Sequence, residues 1–234
     1  MIVNPHSGRS RKAFGYVRVS TAEQAEHKTS LKQQVADLIA AIPEYTRQIK
    51  DVIGPRIADI TAQFSTEDVE RLRLHLGLES ISLLGSSYGG MVAQGYAIRY
   101  PDALDRLVLC ATAPSFRFLA EARQKVEQEG SEEQKLVCQW LWEGSFESLD
   151  QLKRYYRAMA PWYAVSFQEE KFEESWGRGI RNFQQTNLGF SGFLREFDFT
   201  PELDQVRCPT LVLAGEKDWI CAAGQSREIA DRIR

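Results

Sequence analysis

Ser87 is the residue whose surroundings most plainly suggest chemistry. It is the centre of Gly85-Ser86-Ser87-Tyr88-Gly89-Gly90, a G-x-S-x-G pattern set between a short apolar run and a helix-forming one. A serine on a sharp strand-to-helix turn is lifted above the edge of a sheet, where its hydroxyl can attack an acyl carbon. Glycines two residues to either side let the strand and helix backbones pass closely. The Tyr88 backbone N–H, at the start of the helix, is placed to meet a developing oxyanion. Ser86 is a neighbour rather than a rival, because the glycine spacing centres on Ser87. A Gly/Ser-rich phosphate loop is the competing reading, but the Lys-Ser/Thr ending of a P-loop is absent.

A serine nucleophile needs a base, and the base needs an acid to orient it. Leu211-Val212-Leu213-Ala214-Gly215-Glu216-Lys217-Asp218 reads as a strand running into a turn that presents a carboxylate. In a parallel α/β sheet, ligands bind beyond the carboxyl ends of the strands. Asp218 is therefore the expected acid, with Glu216 in reserve. The alternative for Asp218 is a turn aspartate bonded to its own backbone. No histidine follows Asp218; the three in the chain are His6, His27 and His75. His75 falls in the helical pattern ahead of Ser87, and the other two lie in an N-terminal region that is hard to parse. Without a base, a serine hydroxyl is a poor nucleophile near neutral pH, so catalysis by these residues is expected to be impaired.

The elements that must position these residues alternate. Ser65-Thr66-Glu67-Asp68 resembles a capping box, Val69, Leu72 and Leu76 follow at helical spacing, and Gly77 stops the helix. Ile81 to Leu84 reads as a buried strand, Met91 to Arg99 as a helix ended at Tyr100-Pro101, and Leu107 to Cys110 as a second buried strand. The alternation predicts an α/β fold with a parallel sheet covered by helices. Helical segments follow at Leu119–Gln128, Glu132–Trp142, Leu149–Met159 and Glu169–Arg181. They concentrate Trp140, Trp142, Tyr155, Tyr156, Trp162, Tyr163 and Trp176, which either fill helix cores or line a pocket beneath a lid. Thr210 to Ala214 returns to strand character. The organisation is an unassigned segment 1–64, a core 65–114, a helical insertion 115–206 and a returning core 207–234.

The 234 residues, 43% hydrophobic and 26% charged, suit one soluble globular domain. A net charge of −3 leaves no electrostatic footprint for nucleic acid or an anionic membrane. No apolar run is long enough to span a bilayer, and Met1 to Lys12 lacks a signal-peptide core. The four cysteines are widely spaced, so neither a metal site nor a disulfide framework is expected, and the chain reads as cytoplasmic. No cofactor is implied. The expected ligand is a small molecule or short peptide.

The stretch from Asp68 to Cys221 resembles α/β-hydrolases of the proline-iminopeptidase-like branch. The resemblance rests on Val69-Glu70-Arg71-Leu72-Arg73, the Gly85–Gly90 turn, Arg99-Tyr100-Pro101 and Arg106-Leu107-Val108-Leu109. Cys208-Pro209-Thr210-Leu211-Val212-Leu213-Ala214-Gly215, leading to Asp218, completes the set. It implies an α/β-hydrolase core with a helical cap over the active site, and acyl transfer to Ser87 followed by hydrolysis. Its substrates are small esters, amides or peptide N-termini. In the cap, Glu196 could meet a substrate amine; a solvated or cap-pairing charge is the alternative. The resemblance also implies a sheet incomplete at both ends. A His-Gly oxyanion loop and a strand with the catalytic histidine are not found, and Asn4 to Ser10 is similar to the Gly-x-Ser turn after the fourth strand of such hydrolases. Open sheet edges would favour self-association.

Phe14 to Thr21, with Gln24 and Ser30 to Gln34, resembles the start of resolvase-type serine recombinases. In that family the Ser20 position attacks a DNA phosphodiester and the Arg18 position supports it. The later arginine cluster and a basic DNA-binding tail are not found, so a chance amphipathic strand–helix or the scar of a gene fusion fits this stretch better than function. Beside the hydrolase reading stands a non-catalytic hydrolase-like protein that binds a ligand in the cap pocket.

Overall fold

The computed structural model describes residues 62–164, 167–178 and 181–233. His6, His27, the 4–10 turn and the recombinase-like stretch 14–34 lie outside the described residues. Helix α1 (Ala62–His75) leads to β1 (Ile81–Ser86), α2 (Tyr88–Arg99) and β2 (Leu104–Cys110). An insertion follows with α3 (Phe118–Glu129), α4 (Glu132–Glu143), α5 (Leu149–Tyr163), α6 (Glu169–Arg178) and α7 (Phe183–Ser191). The chain then returns as β3 (Thr210–Leu213) and ends in α8 (Ala223–Arg232).

The three described strands form one parallel sheet in the order β1-β2-β3, as the alternating pattern requires. One face is covered by α2 and α8. Ile81, Leu107 and Leu109 pack there with Ala93, Tyr96 and Ala97 of α2 and Ile229 of α8. The opposite face carries Leu84 and Leu211, 51% and 39% exposed, in one register row through Val108. The row Ser86, Cys110, Leu213 aligns the carboxyl ends of all three strands.

Several boundaries differ from expectation. Helix α1 begins at Ala62, so Ser65 lies within the helix and not at its start. A capping box does form at Ser131, whose hydroxyl accepts from Gln134 N (3.2 Å) while Gln134 Oε1 accepts from Ser131 N (3.0 Å). Gly77 ends the first helical run in a left-handed conformation, φ 63°, as expected of a glycine there. Strand β2 starts three residues early, at Leu104. Helix α5 continues through Pro161 to Tyr163 instead of stopping at Met159, and α6 ends at Arg178 rather than Arg181. Helices α7 and α8 were not anticipated; their apolar residues are too few to show a clear period.

The insertion is closed at its base. Ser115 and Asp198 form an antiparallel bridge, with Phe116 N donating to Phe197 O (2.8 Å) and Phe199 N to Pro114 O (2.9 Å). Arg117 pairs with Asp198 (3.0 Å) and Glu228 of α8 (3.8 Å). On the other side of the core, Arg73 donates twice to Glu70 (2.8 and 2.7 Å), and Tyr96 OH donates to the same carboxylate (2.7 Å). The Arg73 bonds are the largest influence holding the Glu70 carboxyl below its ordinary range. This network fixes α1 against α2 and hence against the sheet. Among the described residues no helix is long and apolar enough to cross a membrane.

Candidate active site

Ser87 follows β1 directly with φ 52° and ψ −124°. A non-glycine residue in this region stores of order 1–3 kcal/mol and persists only where its surroundings over-determine it. They do so here. Ser87 N donates to Cys110 O (3.0 Å), and Ser87 O accepts from Gly90 N (2.9 Å) and Met91 N (3.3 Å). The buried Thr112 Oγ1 gives that same carbonyl a further bond (2.8 Å). The backbone is therefore locked while the side chain, which makes no capping bond, stands exposed at the sheet edge.

The glycines around it are unequal. A Cβ on Gly85 would lie 2.4 Å from Gly89 O and 2.7 Å from Gly90 Cα, and one on Gly90 would lie 2.5 Å from Thr112 Cβ. A Cβ on Gly89 would meet nothing within 4 Å. Close passage thus depends on Gly85 and Gly90, and the second glycine of the G-x-S-x-G spacing is not sterically required. Tyr88 opens α2, so its N–H belongs to the positive end of that helix. Its ring meets Phe193 of the insertion edge-on at 5.9 Å.

Asp218 leaves the same edge two strands away. Ala111 N donates to Leu213 O (2.9 Å), and Asp218 N closes a turn on Gly215 O (3.1 Å). Asp218 Oδ1 accepts from Ile220 N (3.0 Å) and Cys221 N (2.9 Å). The backbone-bonded turn aspartate weighed above is therefore present, and it leaves Oδ2 without a hydrogen bond. Burial pushes the Asp218 carboxyl up, against the lowering effect of the two backbone bonds. Its charge in turn helps raise the Cys110 and Cys221 thiols, which burial already raises. Parallel strands are spaced by about 4.8 Å, so Ser87 and Asp218 emerge about 10 Å apart in strand spacing, on either side of the end of β2.

His75 is not brought to them. It closes α1 before β1 begins, and six strand residues rise about 20 Å; His75 belongs to the opposite edge of the sheet. Glu216 is exposed in the β3 turn and makes none of the backbone bonds that fix Asp218. Glu196 is exposed at the end of the Phe193–Arg195 turn, its N–H donating to Phe193 O (3.1 Å). Among the described residues no cluster of His, Cys, Asp or Glu could hold a metal ion.

Two features of the site were not read from the sequence. Thr112, just beyond the end of β2, and the fully buried Gln94 of α2, which donates to Gly90 O (3.1 Å) and Ala113 O (3.0 Å), brace the elbow. A glutamine in an otherwise apolar helix was the available signal for Gln94. The second feature is Trp219, buried beside Asp218. Trp142, Trp162 and Tyr163 surround its ring at centroid distances of 6.1, 5.6 and 5.5 Å. The aromatics of the insertion thus serve its core and also wall the acid turn.

A family described as alpha/beta hydrolase fold matches residues 54–234. A proline iminopeptidase, PfmaB, of Pestalotiopsis fici is 30% identical over 184 residues, covering 76% of this chain and 66% of that protein. The proline iminopeptidase of Clostridium botulinum is 28% identical over 183 residues, covering 71% and 60%. Among solved structures, an alpha/beta fold family hydrolase from Bacillus anthracis aligns with a TM-score of 0.58 at 23% identity, covering 74% of this chain and 63% of that one. The proline iminopeptidase of Mycobacterium smegmatis aligns with a TM-score of 0.53 at 23% identity, covering 75% and 63%. The chain spans between 60% and 66% of the length of these two curated relatives.

Proposed function

Because this chain belongs to the α/β-hydrolase family, we propose that it is a serine hydrolase with Ser87 as nucleophile, Asp218 as the acid and the Tyr88 N–H as an oxyanion donor. The observation that carries the reading is the strained, over-determined backbone of Ser87 at the carboxyl end of β1, since strain of this kind is retained where function uses it. The reaction is attack of the Ser87 hydroxyl on an acyl carbon, collapse to an acyl-enzyme and hydrolysis. Small esters, amides and peptide N-termini are the substrate class, the last supported by the names of the curated relatives. The helical insertion acts as the cap, and Glu196 is the carboxylate assigned to a substrate amine. Among the described residues no histidine approaches Ser87, because His75 lies at the opposite edge of the sheet, and a serine hydroxyl without a base is a slow nucleophile. The unpaired edges of β1 and β3 among the described strands favour self-association, measurable by light scattering.

The test is intact mass after incubation with a fluorophosphonate probe, with and without added imidazole to stand in for the base. We expect slow labelling that imidazole accelerates and that Ser87→Ala abolishes. Labelling that survives Ser87→Ala, or none in either condition on a folded chain, overturns the nucleophile assignment. The second of these results favours a ligand-binding protein built on the same fold.

A further inference from the structure

Away from Ser87, helices α3 and α4 enclose an open groove of about 1300 Å³ that also reaches Arg195. Two guanidinium groups converge in it. Arg123 Nη2 lies 3.4 Å from Trp142 O, and Arg195 Nη2 donates to the same oxygen at 2.8 Å. The two nitrogens are therefore at most about 6 Å apart, the sum of those contacts. Trp142 is in the last turn of α4, where a helix attracts one cation; a second brings like-charge repulsion.

Among the described residues no carboxylate pairs with either arginine, and the other two cations of the groove have carboxylate partners of their own. Arg117 pairs with Asp198 and Glu228, and Lys135 with Glu127 (3.8 Å) and Glu132 (3.5 Å). Glu143 accepts from the neutral donors Gln139 (2.9 Å) and Ser145 (3.4 Å) and keeps its charge, but it forms no ion pair with either arginine among the described residues. Arg123 keeps most of its donors unused, as does Arg195 at Nη1. Beside them the groove presents two large apolar side chains to solvent, Phe116 at 39% and Leu136 at 41%. The Trp142 ring, under Arg123 at 5.7 Å, forms part of the wall.

We propose that this groove is a binding site for a small amphiphilic carboxylate, whose head group lies between Arg123 and Arg195 and whose alkyl chain covers Phe116 and Leu136. Paired guanidiniums match the geometry of a carboxylate, and an apolar wall beside a few fixed polar groups is the usual composition of a small-molecule site. The site is independent of the assignment of Ser87. Trp142 links it to the acid turn, because its ring packs on Trp219.

The probe is decanoate, titrated into the full chain by calorimetry and by tryptophan fluorescence, with 1-decanol and decyltrimethylammonium as partners of the same chain length. We expect saturable one-to-one binding of decanoate, at least about tenfold tighter than 1-decanol, the factor that one charge-assisted hydrogen bond confers. Decyltrimethylammonium should not bind. Arg123→Gln and Arg195→Gln should each weaken decanoate by about tenfold, and Ser87→Ala should leave it unchanged. Equal affinity for decanoate and 1-decanol on the unaltered protein overturns the proposal whatever the variants do. So does decanoate binding that persists undiminished in a folded Arg123→Gln, Arg195→Gln double variant.

Discussion

The elbow at Ser87 and the turn at Asp218 leave the same sheet edge, but they are held by different means. The elbow is a backbone device: a strand end, a helix start, two glycines without room for a Cβ, and four hydrogen bonds to or from the Ser87 main chain, three of them backbone to backbone. The acid turn supplies only its own three bonds, and its position depends on Trp219, which is packed by rings from the insertion. One half of the site is thus fixed locally, and the other is fixed through a large aromatic cluster built from residues about 60 to 80 positions away.

The largest expected effect breaks the local half. Gly85→Ala places a methyl group against Gly89 O and Gly90 Cα, backbone atoms that cannot step aside, and should cost more than about 4 kcal/mol; a circular-dichroism melt checks it. Trp219→Ala attacks the other half. Emptying that buried site should cost about 3–4 kcal/mol, and native-state hydrogen exchange should show the acid turn and α5 losing protection while α2 keeps it. Uniform loss in both would mean the two halves are not separately held.

Smaller changes sharpen the contrast. Thr112→Val keeps shape but removes the bond to Ser87 O, and should cost about 1–2 kcal/mol and slow fluorophosphonate labelling. Asp218→Asn should instead raise stability. The folded carboxyl titrates above its unfolded value because it is buried, so the folded state binds the proton more tightly. Stability therefore falls as pH rises through that window, and the loss is complete above it. The amide keeps the Oδ1 acceptor and removes the charge. At neutral pH its melting point should rise by about 2–4 °C, while well below pH ~4 the two chains should melt together. Gly89→Ala is the control: with open space around it and a place in the first turn of α2, it should change stability by less than about 1 kcal/mol, in the stabilising direction.

By itself the sequence determined the α/β alternation and the parallel sheet. Period-2 and period-3.6 apolar patterns and turn residues act over a few positions, and Gly85 to Gly90 encodes its turn in six residues. Asp218 was legible because a strand leading into Gly-Glu-Lys-Asp presents a carboxylate wherever the strand ends. Only the tertiary structure decided that Gly90, and not Gly89, meets Thr112, that Gln94 and Thr112 brace the elbow, and that Trp219 anchors the acid turn. It also decided that Arg123 and Arg195 share one carbonyl oxygen. Each of these depends on atoms brought together across 19 to 77 positions of chain, and no local pattern specifies a contact made by the packing of separate elements.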